Sequence, residues 1–149
     1  MGWVEALRGS VVGLDTAPLI YYIEANPTYI SMLDPFFDAL DAGEFNVVTS
    51  FVTLLAVLVQ PIRHGDTSLA DQYRHILLNF AGLKSVPLSE DVAEQAAKLR
   101  AAHNLRTADA IQMATALSAG ASVFLTNDLK LASVPGMQIL TLKSLLTLP

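Results

Sequence analysis

The sequence contains no cysteine and few charged residues. Without cysteine, the 149-residue chain has no disulfide, no thiolate nucleophile and no cysteine-ligated zinc site. Charged residues make up 15% of the chain and hydrophobic residues 52%, and the mean hydropathy is +0.44. This composition argues against disorder and favours a wide buried interface. We therefore expect a single folded domain over residues 1–149 that assembles as a homo-oligomer, a dimer.

Basic residues are scarce. The chain has 9 Lys and Arg against 14 Asp and Glu, a net charge of −5 and a pI near 4.9. Non-specific coating of nucleic acid depends on many Lys and Arg contacts to phosphates, so this class of protein is excluded. A nuclease is compatible with the charge, because a metal ion in an acidic site supplies positive charge locally. The three histidines lack the spacing of a metal-binding pair.

Long hydrophobic segments are also missing. Residues 47–59 are uncharged and almost wholly apolar, but a bilayer span needs roughly 20 such residues. Residues 1–10 lack the apolar core of a signal peptide. We therefore expect no membrane association and a cytoplasmic location.

Apolar strands alternate with amphipathic helices along the chain, without internal repeats, linkers or low-complexity segments. This alternation predicts a parallel sheet covered on both faces by helices. The predicted strands are residues 10–15, 46–49, 84–87, 122–126 and 137–140. The predicted helices are residues 17–24, 31–42, 51–59 after a Ser50 cap and before Gln60-Pro61, 68–80, a helix capped by Ser89 that frays near 103, a helix capped by Thr107 and ended by Gly120, and a last helix from 142.

Three aspartates fall at one end of this predicted sheet. Asp15 and Asp128 follow strands, and Asp109 lies in the first turn of a helix, where the helix dipole favours a carboxylate. Ligands of open parallel sheets bind outside the carboxyl ends of the strands. Carboxylates gathered there repel one another unless they share a proton or bind a divalent cation. Each aspartate alone is explained by a cap or a turn, but the joint pattern suggests a metal-dependent phosphodiesterase.

Four segments carry a family resemblance: VVGLDTAPLIYYIE, VVTSFVTLLAVLVQPIRHGD, LRTADAIQMATAL and VFLTNDLKL. Their order and spacing resemble the successive motifs of PIN-domain nucleases, particularly the VapC-like group, over nearly the whole chain. The resemblance implies a three-layer α/β/α fold with a central parallel sheet. It also implies a Mg²⁺- or Mn²⁺-dependent endoribonuclease that cleaves RNA, often as a toxin held in check by a small antitoxin.

The resemblance assigns roles to individual residues. Asp15, Asp109 and Asp128 match the family's first, third and fourth acids, which makes them the implied metal ligands and catalytic residues. Oxygen ligands suit Mg²⁺ or Mn²⁺, and an ion held there polarises the phosphate and lowers the pKa of an attacking water. Thr126 and Asn127 match a polar pair beside the last acid and are the implied substrate-binding residues.

The family's second acid is missing. Family members carry a glutamate in a pattern like TLxEVL, and this chain reads TLLAVL with Ala56 at that position. Metal affinity, water positioning or both should fall, with a rate loss on the order of 10²-fold or more if the acid is the general base. Ala56 is either a natural change or a deliberate replacement that allows a toxic nuclease to be produced. The alternative function is a catalytically silent PIN domain that binds RNA or a protein partner.

Arg106 and Lys130 adjoin two of the acids. They either contact RNA phosphates or neutralise the acidic cluster. Tyr21, Tyr22 and Tyr29 either stack on bases and partner surfaces or pack within the fold. A phosphatase-like or response-regulator-like domain is disfavoured, because the sequence has no phosphate-binding glycine loop and its motif order differs.

Overall fold

The computed structural model describes residues 2–131 and 134–147, so the two ends of the predicted domain 1–149 lie outside the described residues. Five parallel strands form one sheet in the order β3-β2-β1-β4-β5. The strands are β1 (Val11–Leu14), β2 (Asn46–Ser50), β3 (Leu83–Val86), β4 (Val123–Thr126) and β5 (Gln138–Thr141). After a short 3-10 helix at Glu5–Leu7, the helices are α1 (Thr16–Ile23), α2 (Ile30–Asp41), α3 (Phe51–Arg63), α4 (Thr67–Asn79), α5 (Glu90–His103), α6 (Thr107–Ser118) and α7 (Leu142–Leu146).

Helices cover both faces of the sheet. Successive strand residues point to opposite faces, so Val47 and Val48 belong to different parts of the core. Val47 packs with apolar side chains of α1, α2, α3, α4 and α7. Val48 packs with side chains of α5 and α6. The predicted three-layer α/β/α fold with a central parallel sheet is confirmed.

Close packing of α6 on β1 depends on a glycine. A Cβ placed on Gly13 would lie 2.6 Å from Ala116 Cβ and 2.7 Å from Phe124 Cδ1, well inside van der Waals contact. Any side chain at this position would push α6 away from the centre of the sheet. The glycine therefore sets the depth at which α6, the helix that carries Asp109, lies against the strands.

Two predicted serine caps are confirmed. Ser50 Oγ accepts a hydrogen bond of 3.1 Å from Val52 N at the start of α3, and Ser89 Oγ accepts one of 3.1 Å from Val92 N at the start of α5. These hydroxyls pair amides that have no partner within the helix. The cap of α3 fixes the point at which β2 turns into that helix.

The structure corrects two predicted boundaries. α3 continues through Pro61 to Arg63, because the proline removes only one helical hydrogen bond near the end and its side chain stays buried on the same face as Thr53 and Val57. Thr107 is the first residue of α6 and not its cap; Arg106 holds the cap position without a side-chain hydrogen bond. α3 contains much of the uncharged segment, yet no helix in the described part of the chain is long and apolar enough to cross a membrane.

The strand order places a crevice beside β1. The chain proceeds from β1 to β2 and β3 on one side, and β4 and β5 are added on the other side of β1. Such a reversal opens a crevice outside the carboxyl ends of the two diverging strands. Asp15 follows β1 and Asp128 lies just beyond β4, so both residues lie at this crevice.

Candidate active site

A cleft of about 460 Å³ opens at the carboxyl ends of β1 and β4. Asp15, Asp109 and Asp128 line it from the start of α1, the first turn of α6 and the loop after β4. Ala56 lines the same cleft from α3, and Gln112 lines it from α6. We call this the acidic cleft, bounded by these five residues. Three elements that are distant in sequence therefore bring three carboxylates to one depression.

Asp15 is partly buried, and both of its carboxylate oxygens accept hydrogen bonds. It caps α1, since its Oδ1 accepts a hydrogen bond of 2.8 Å from Thr16 N, and its Oδ2 accepts one of 2.7 Å from Thr126 Oγ1. Burial nevertheless raises the pKa of Asp15 above its ordinary value; the two hydrogen bonds oppose this rise, and the negative charges of Asp109 and Asp128 add to it. The cleft therefore holds a carboxylate whose charge is poorly compensated by the protein alone.

Arg106 supplies the positive charge nearest to the other two acids. Its Nε donates a hydrogen bond of 2.9 Å to Asp109 Oδ2, and one of its terminal nitrogens lies 3.8 Å from Asp128 Oδ2. The hydrogen bond and the charge of Asp109 raise the pKa of Arg106, so the guanidinium stays protonated. Its side chain is 79% exposed. The guanidinium thus bridges two carboxylates on the solvent side of the cleft.

The loop after β4 is held by its own backbone and side chains. Asp128 N donates a hydrogen bond of 3.1 Å to Thr126 Oγ1, and Asp128 Oδ1 accepts one of 2.9 Å from Lys130 N. Asn127 Oδ1 accepts a hydrogen bond of 2.9 Å from Lys143 N, near the start of α7. These contacts fix the backbone that presents Asp128 to the cleft.

The donor atoms of the acidic cleft suit Mg²⁺ or Mn²⁺, which prefer carboxylate oxygens. Within residues 2–131 and 134–147, however, no three His, Cys, Asp or Glu side chains lie close enough together to hold one metal ion. Arg106 pairs with two of the acids, and position 56 contributes no carboxylate. The carboxylate oxygens fit such an ion by their chemistry, and the exposure of Arg106 leaves its side chain room to turn away from them.

Comparison with known protein families agrees with the fold and the motifs. A family model described as PIN domain matches residues 12–137 of the chain. The chain belongs to the PIN domain family. The match spans four of the five strands, from Val12 in β1 to the residue before β5, and it contains Asp15, Asp109 and Asp128. No curated protein matches the sequence significantly.

Solved structures share the fold of this PIN domain. A toxin–antitoxin complex from Klebsiella pneumoniae aligns with a TM-score of 0.65 and 23% identity over 89% of this chain and 98% of that chain. VapBC2 from Rickettsia felis, bound to a DNA fragment from their promoter, aligns with a TM-score of 0.64 and 15% identity over 88% and 98%. DNA-bound VapBC from Salmonella typhimurium aligns with a TM-score of 0.60 and 22% identity over 89% and 98%. Identities this low show the common fold alone.

The predicted substrate-binding residues of the PIN domain occupy different surroundings. Thr126 is fully buried and contacts Asp15, and Asn127 lines the cleft while it pairs with α7. Arg106 lines the cleft and also a second depression of about 540 Å³ beside it. Lys130 lines only that second depression. Asn127 and Arg106 therefore border the acidic cleft, while Thr126 lies beneath it and Lys130 outside it.

The tyrosines chiefly pack within the fold. Tyr21 stacks on Tyr29 with ring centroids 4.9 Å apart, and Tyr22 stacks on Phe37 at 3.9 Å. Tyr21 also lines the acidic cleft, so one of its edges is available to a ligand while its face is occupied. Phe37 therefore occupies one face of the Tyr22 ring.

The sequence analysis missed one polar residue of the cleft, Gln112. It is only 3% exposed, and its side chain forms hydrogen bonds with residues of three other elements. The available signal was a glutamine within the otherwise apolar stretch AIQMATA of α6. A buried polar side chain needs hydrogen-bond partners. The partners of Gln112 belong to β2 and α3, which come next to α6 only in the folded chain.

Among the depressions that are larger than the acidic cleft, two hold at most one carboxylate each. One of about 700 Å³ lies beside Tyr22 and Phe80, and one of about 610 Å³ lies between α5 and α6 and is lined mainly by alanines. Volume alone favours these sites for an apolar ligand. Neither one collects several carboxylates, so the chemistry that distinguishes this chain lies in the smaller acidic cleft.

Proposed function

We propose that this PIN domain, spanning residues 1–149, is a metal-dependent endoribonuclease that acts in the cytoplasm as the toxin of a toxin–antitoxin pair. The supporting observation is that Asp15, Asp109 and Asp128 reach one cleft from three separate elements. The switch-point position at the strand ends agrees with a ligand site. Similarity to toxin–antitoxin complexes supports the cellular role.

The three aspartates are the proposed ligands of Mg²⁺ or Mn²⁺. When bound, such an ion supplies positive charge at the scissile phosphate and lowers the pKa of a coordinated water. Thr126 orients Asp15 through its hydroxyl, and the loop after β4 orients Asp128. Arg106, once it leaves Asp109, is placed to pair with an RNA phosphate at the cleft rim.

Ala56 weakens this proposed site. Its methyl group lines the cleft from α3 and offers neither a ligand nor a base. A glutamate at this exposed position of α3 would add a fourth carboxylate opposite α6. We therefore propose that the chain as it stands is a weak nuclease.

Two protein partners belong to the proposal. A small antitoxin is proposed from the complexes that share the fold. A homodimer is proposed because α3 exposes large apolar side chains, among them Leu55 and Ile62, which are 68% and 61% exposed. Apolar side chains grouped on one helix are usually covered by another protein surface.

The experiment restores the acid. Ala56→Glu and the parent chain are incubated with structured and single-stranded RNA in Mg²⁺, in Mn²⁺ and in EDTA, with purification controls for contaminating ribonuclease. We expect metal-dependent cleavage that is at least about 10²-fold faster in Ala56→Glu if this acid is the general base. Asp109→Asn in the restored chain should abolish cleavage. A restored chain that remains inert on all substrates would contradict the nuclease proposal.

The second candidate is a silent PIN domain that binds RNA or a protein. The observation in its favour is that Arg106 already neutralises Asp109, while Ala56 leaves the cleft with three acids. Tight RNA binding that is independent of metal, together with no cleavage by Ala56→Glu, is the result that selects this function.

A further inference from the structure

A directional chain of hydrogen bonds runs beneath the acidic cleft. Gln112 Nε2 donates to Thr53 Oγ1, which lies 2.8 Å from Thr49 Oγ1, and the Thr49 hydroxyl donates a bond of 2.9 Å to Leu14 O. The side chains of Gln112, Thr49 and Thr53 are all buried. With Thr53 as the donor to Thr49, each hydroxyl accepts from one neighbour and donates to the next; Thr49 Oγ1 also lies 3.3 Å from Gln112 Oε1.

Gln112 also contacts the starts of two other helices. Its Oε1 accepts a hydrogen bond of 3.3 Å from Ser50 N, at the junction of β2 and α3, and its Nε2 lies 3.5 Å from Thr16 Oγ1. Thr16 directly follows Asp15. One side chain of α6 is therefore linked to the residues that begin α3 and α1, the two helices that line the opposite side of the cleft.

Gln112 and Thr53 each lie one helical turn from a position of the acidic cleft. Gln112 lies three residues after Asp109 in α6, and Thr53 lies three residues before Ala56 in α3. Residues three apart in a helix share a face. The Gln112–Thr53 pair thus lies one turn beneath the pair of positions 109 and 56, and it holds the two helices together at that depth.

We propose that Gln112 is a positioning residue that sets the separation of α3 and α6, and with it the distance across the cleft between Asp109 and the side chain at position 56. This inference rests on the proposed function, because it concerns metal binding by that same site. α3 and α6 pack on opposite faces of the sheet, so they approach each other only around its carboxyl end. The hydrogen bond between Gln112 and Thr53 at that end fixes the distance between the two helices more narrowly than apolar contact does, since hydrogen bonds have a preferred length and direction.

The first experiment measures the spacing without any metal ion. Because the chain has no cysteine, spin labels can be attached at Gln60→Cys on α3 and Thr107→Cys on α6, both of them exposed. The test variant is Gln112→Met, which keeps the side-chain length and removes the polar atoms. The matched control is Thr115→Val, a buried polar residue of α6 whose hydroxyl donates to Ile111 O of the same helix. We expect the distance distribution to shift or broaden in Gln112→Met and to stay unchanged in Thr115→Val.

The second experiment measures Mn²⁺ affinity in unlabelled protein. The dissociation constant is determined for the parent, Gln112→Met and Thr115→Val, each with and without Ala56→Glu. Loss of an outer partner of a metal site costs on the order of 10-fold or more in affinity. Ala56→Glu should raise the Mn²⁺ affinity of the parent and of Thr115→Val to the same extent. In the Gln112→Met background we expect this gain in affinity to be smaller by about 10-fold.

The outcomes separate the two claims. An unchanged label distribution in Gln112→Met overturns the positioning role, and so does equal coupling of both α6 variants to position 56. Failure of every variant to bind Mn²⁺ overturns the proposed metal-dependent function. A distance change specific to Gln112→Met would then still support the role of Gln112 in setting the separation of α3 and α6. Urea unfolding curves of both α6 variants show whether each is fully folded under the conditions of the distance measurement, and a distance change in a fully folded Gln112→Met is not a general loss of stability.

Discussion

Thr126 connects two of the three acids: its Oγ1 accepts a hydrogen bond of 3.1 Å from Asp128 N and donates one of 2.7 Å to Asp15 Oδ2. A single buried hydroxyl thereby joins the loop after β4 to the residue after β1. Despite this bond, burial raises the pKa of Asp15. The folded metal-free chain thus contains a carboxylate that is more easily ionised in the unfolded chain.

Asp15→Asn should stabilise the metal-free protein at neutral pH. The folded-state pKa of Asp15 is above the unfolded value of 3.8, so ionisation favours unfolding, and this penalty is fully present above the folded pKa. Asparagine carries no charge; its oxygen accepts from Thr16 N, and its amide nitrogen can donate to Thr126 Oγ1 in place of the bond that Asp15 Oδ2 accepts. We expect urea unfolding in EDTA to show a more stable variant at pH 7, and the advantage should shrink as the pH falls through the folded pKa toward 3.8. Asp71→Asn, at an exposed aspartate, is the control; equal stability of Asp15→Asn and the parent at pH 7 contradicts the prediction.

Arg106→Gln should tighten Mn²⁺ binding and weaken RNA binding. The guanidinium pairs with Asp109 and lies near Asp128, so it competes with a cation for the same oxygens. Its removal should lower the Mn²⁺ dissociation constant severalfold, measured by calorimetry. If Arg106 also contacts RNA phosphates, the salt dependence of RNA binding should become shallower by about one counterion. Arg74→Gln removes another exposed Arg–Asp pair three residues apart and should change neither quantity.

Asn127→Ala should lower the stability of the fold. Asn127 Oδ1 accepts from Lys143 N near the start of α7, an amide that has no partner within that helix. Loss of one such bond costs about 1 kcal/mol, which chemical unfolding can detect. Asn127→Asp keeps the acceptor but adds a carboxylate to the acidic cleft, so at high salt, which screens that charge, it should retain the stability that Asn127→Ala loses. If the two variants unfold alike at high salt, the bond to α7 contributes nothing to stability.

The sequence predicted the features that depend on local pattern. Asp15 and Asp128 were predicted from apolar strand segments that end at an acid, and both line the cleft. The caps at Ser50 and Ser89 were predicted from serines that precede helical segments. Local pattern failed where the decisive contact spans the fold. Asn127 meets Lys143 only after β5 is added to the sheet, and Gln112 meets Thr53 only after α3 and α6 approach around its end.

The helix boundary at Pro61 illustrates the same limit. A proline after a run of helical residues predicts the end of a helix, because it cannot donate the next hydrogen bond. In the folded chain Pro61 is buried one turn after Val57, and the amides of His64 and Asp66 bond to Gln60 O and Pro61 O. Burial and these bonds outweigh the loss of one hydrogen bond. Tertiary packing, which the linear pattern does not contain, decides the boundary.

Ala56→Glu should make the stability of the protein depend on metal. The new carboxylate faces a cleft that already holds Asp15 and Asp109, so charge repulsion should lower the Tm in EDTA relative to the parent. Mg²⁺ or Mn²⁺ should reverse this, because a ligand that binds only the folded state stabilises it by about 2.7 kcal/mol at 100 times its Kd. Gln60→Glu is the matched control, since it adds the same charge to α3 at an exposed polar position outside the cleft. Thermal unfolding over a metal titration should show a larger rise in Tm for Ala56→Glu than for Gln60→Glu, and equal rises would place the missing acid elsewhere.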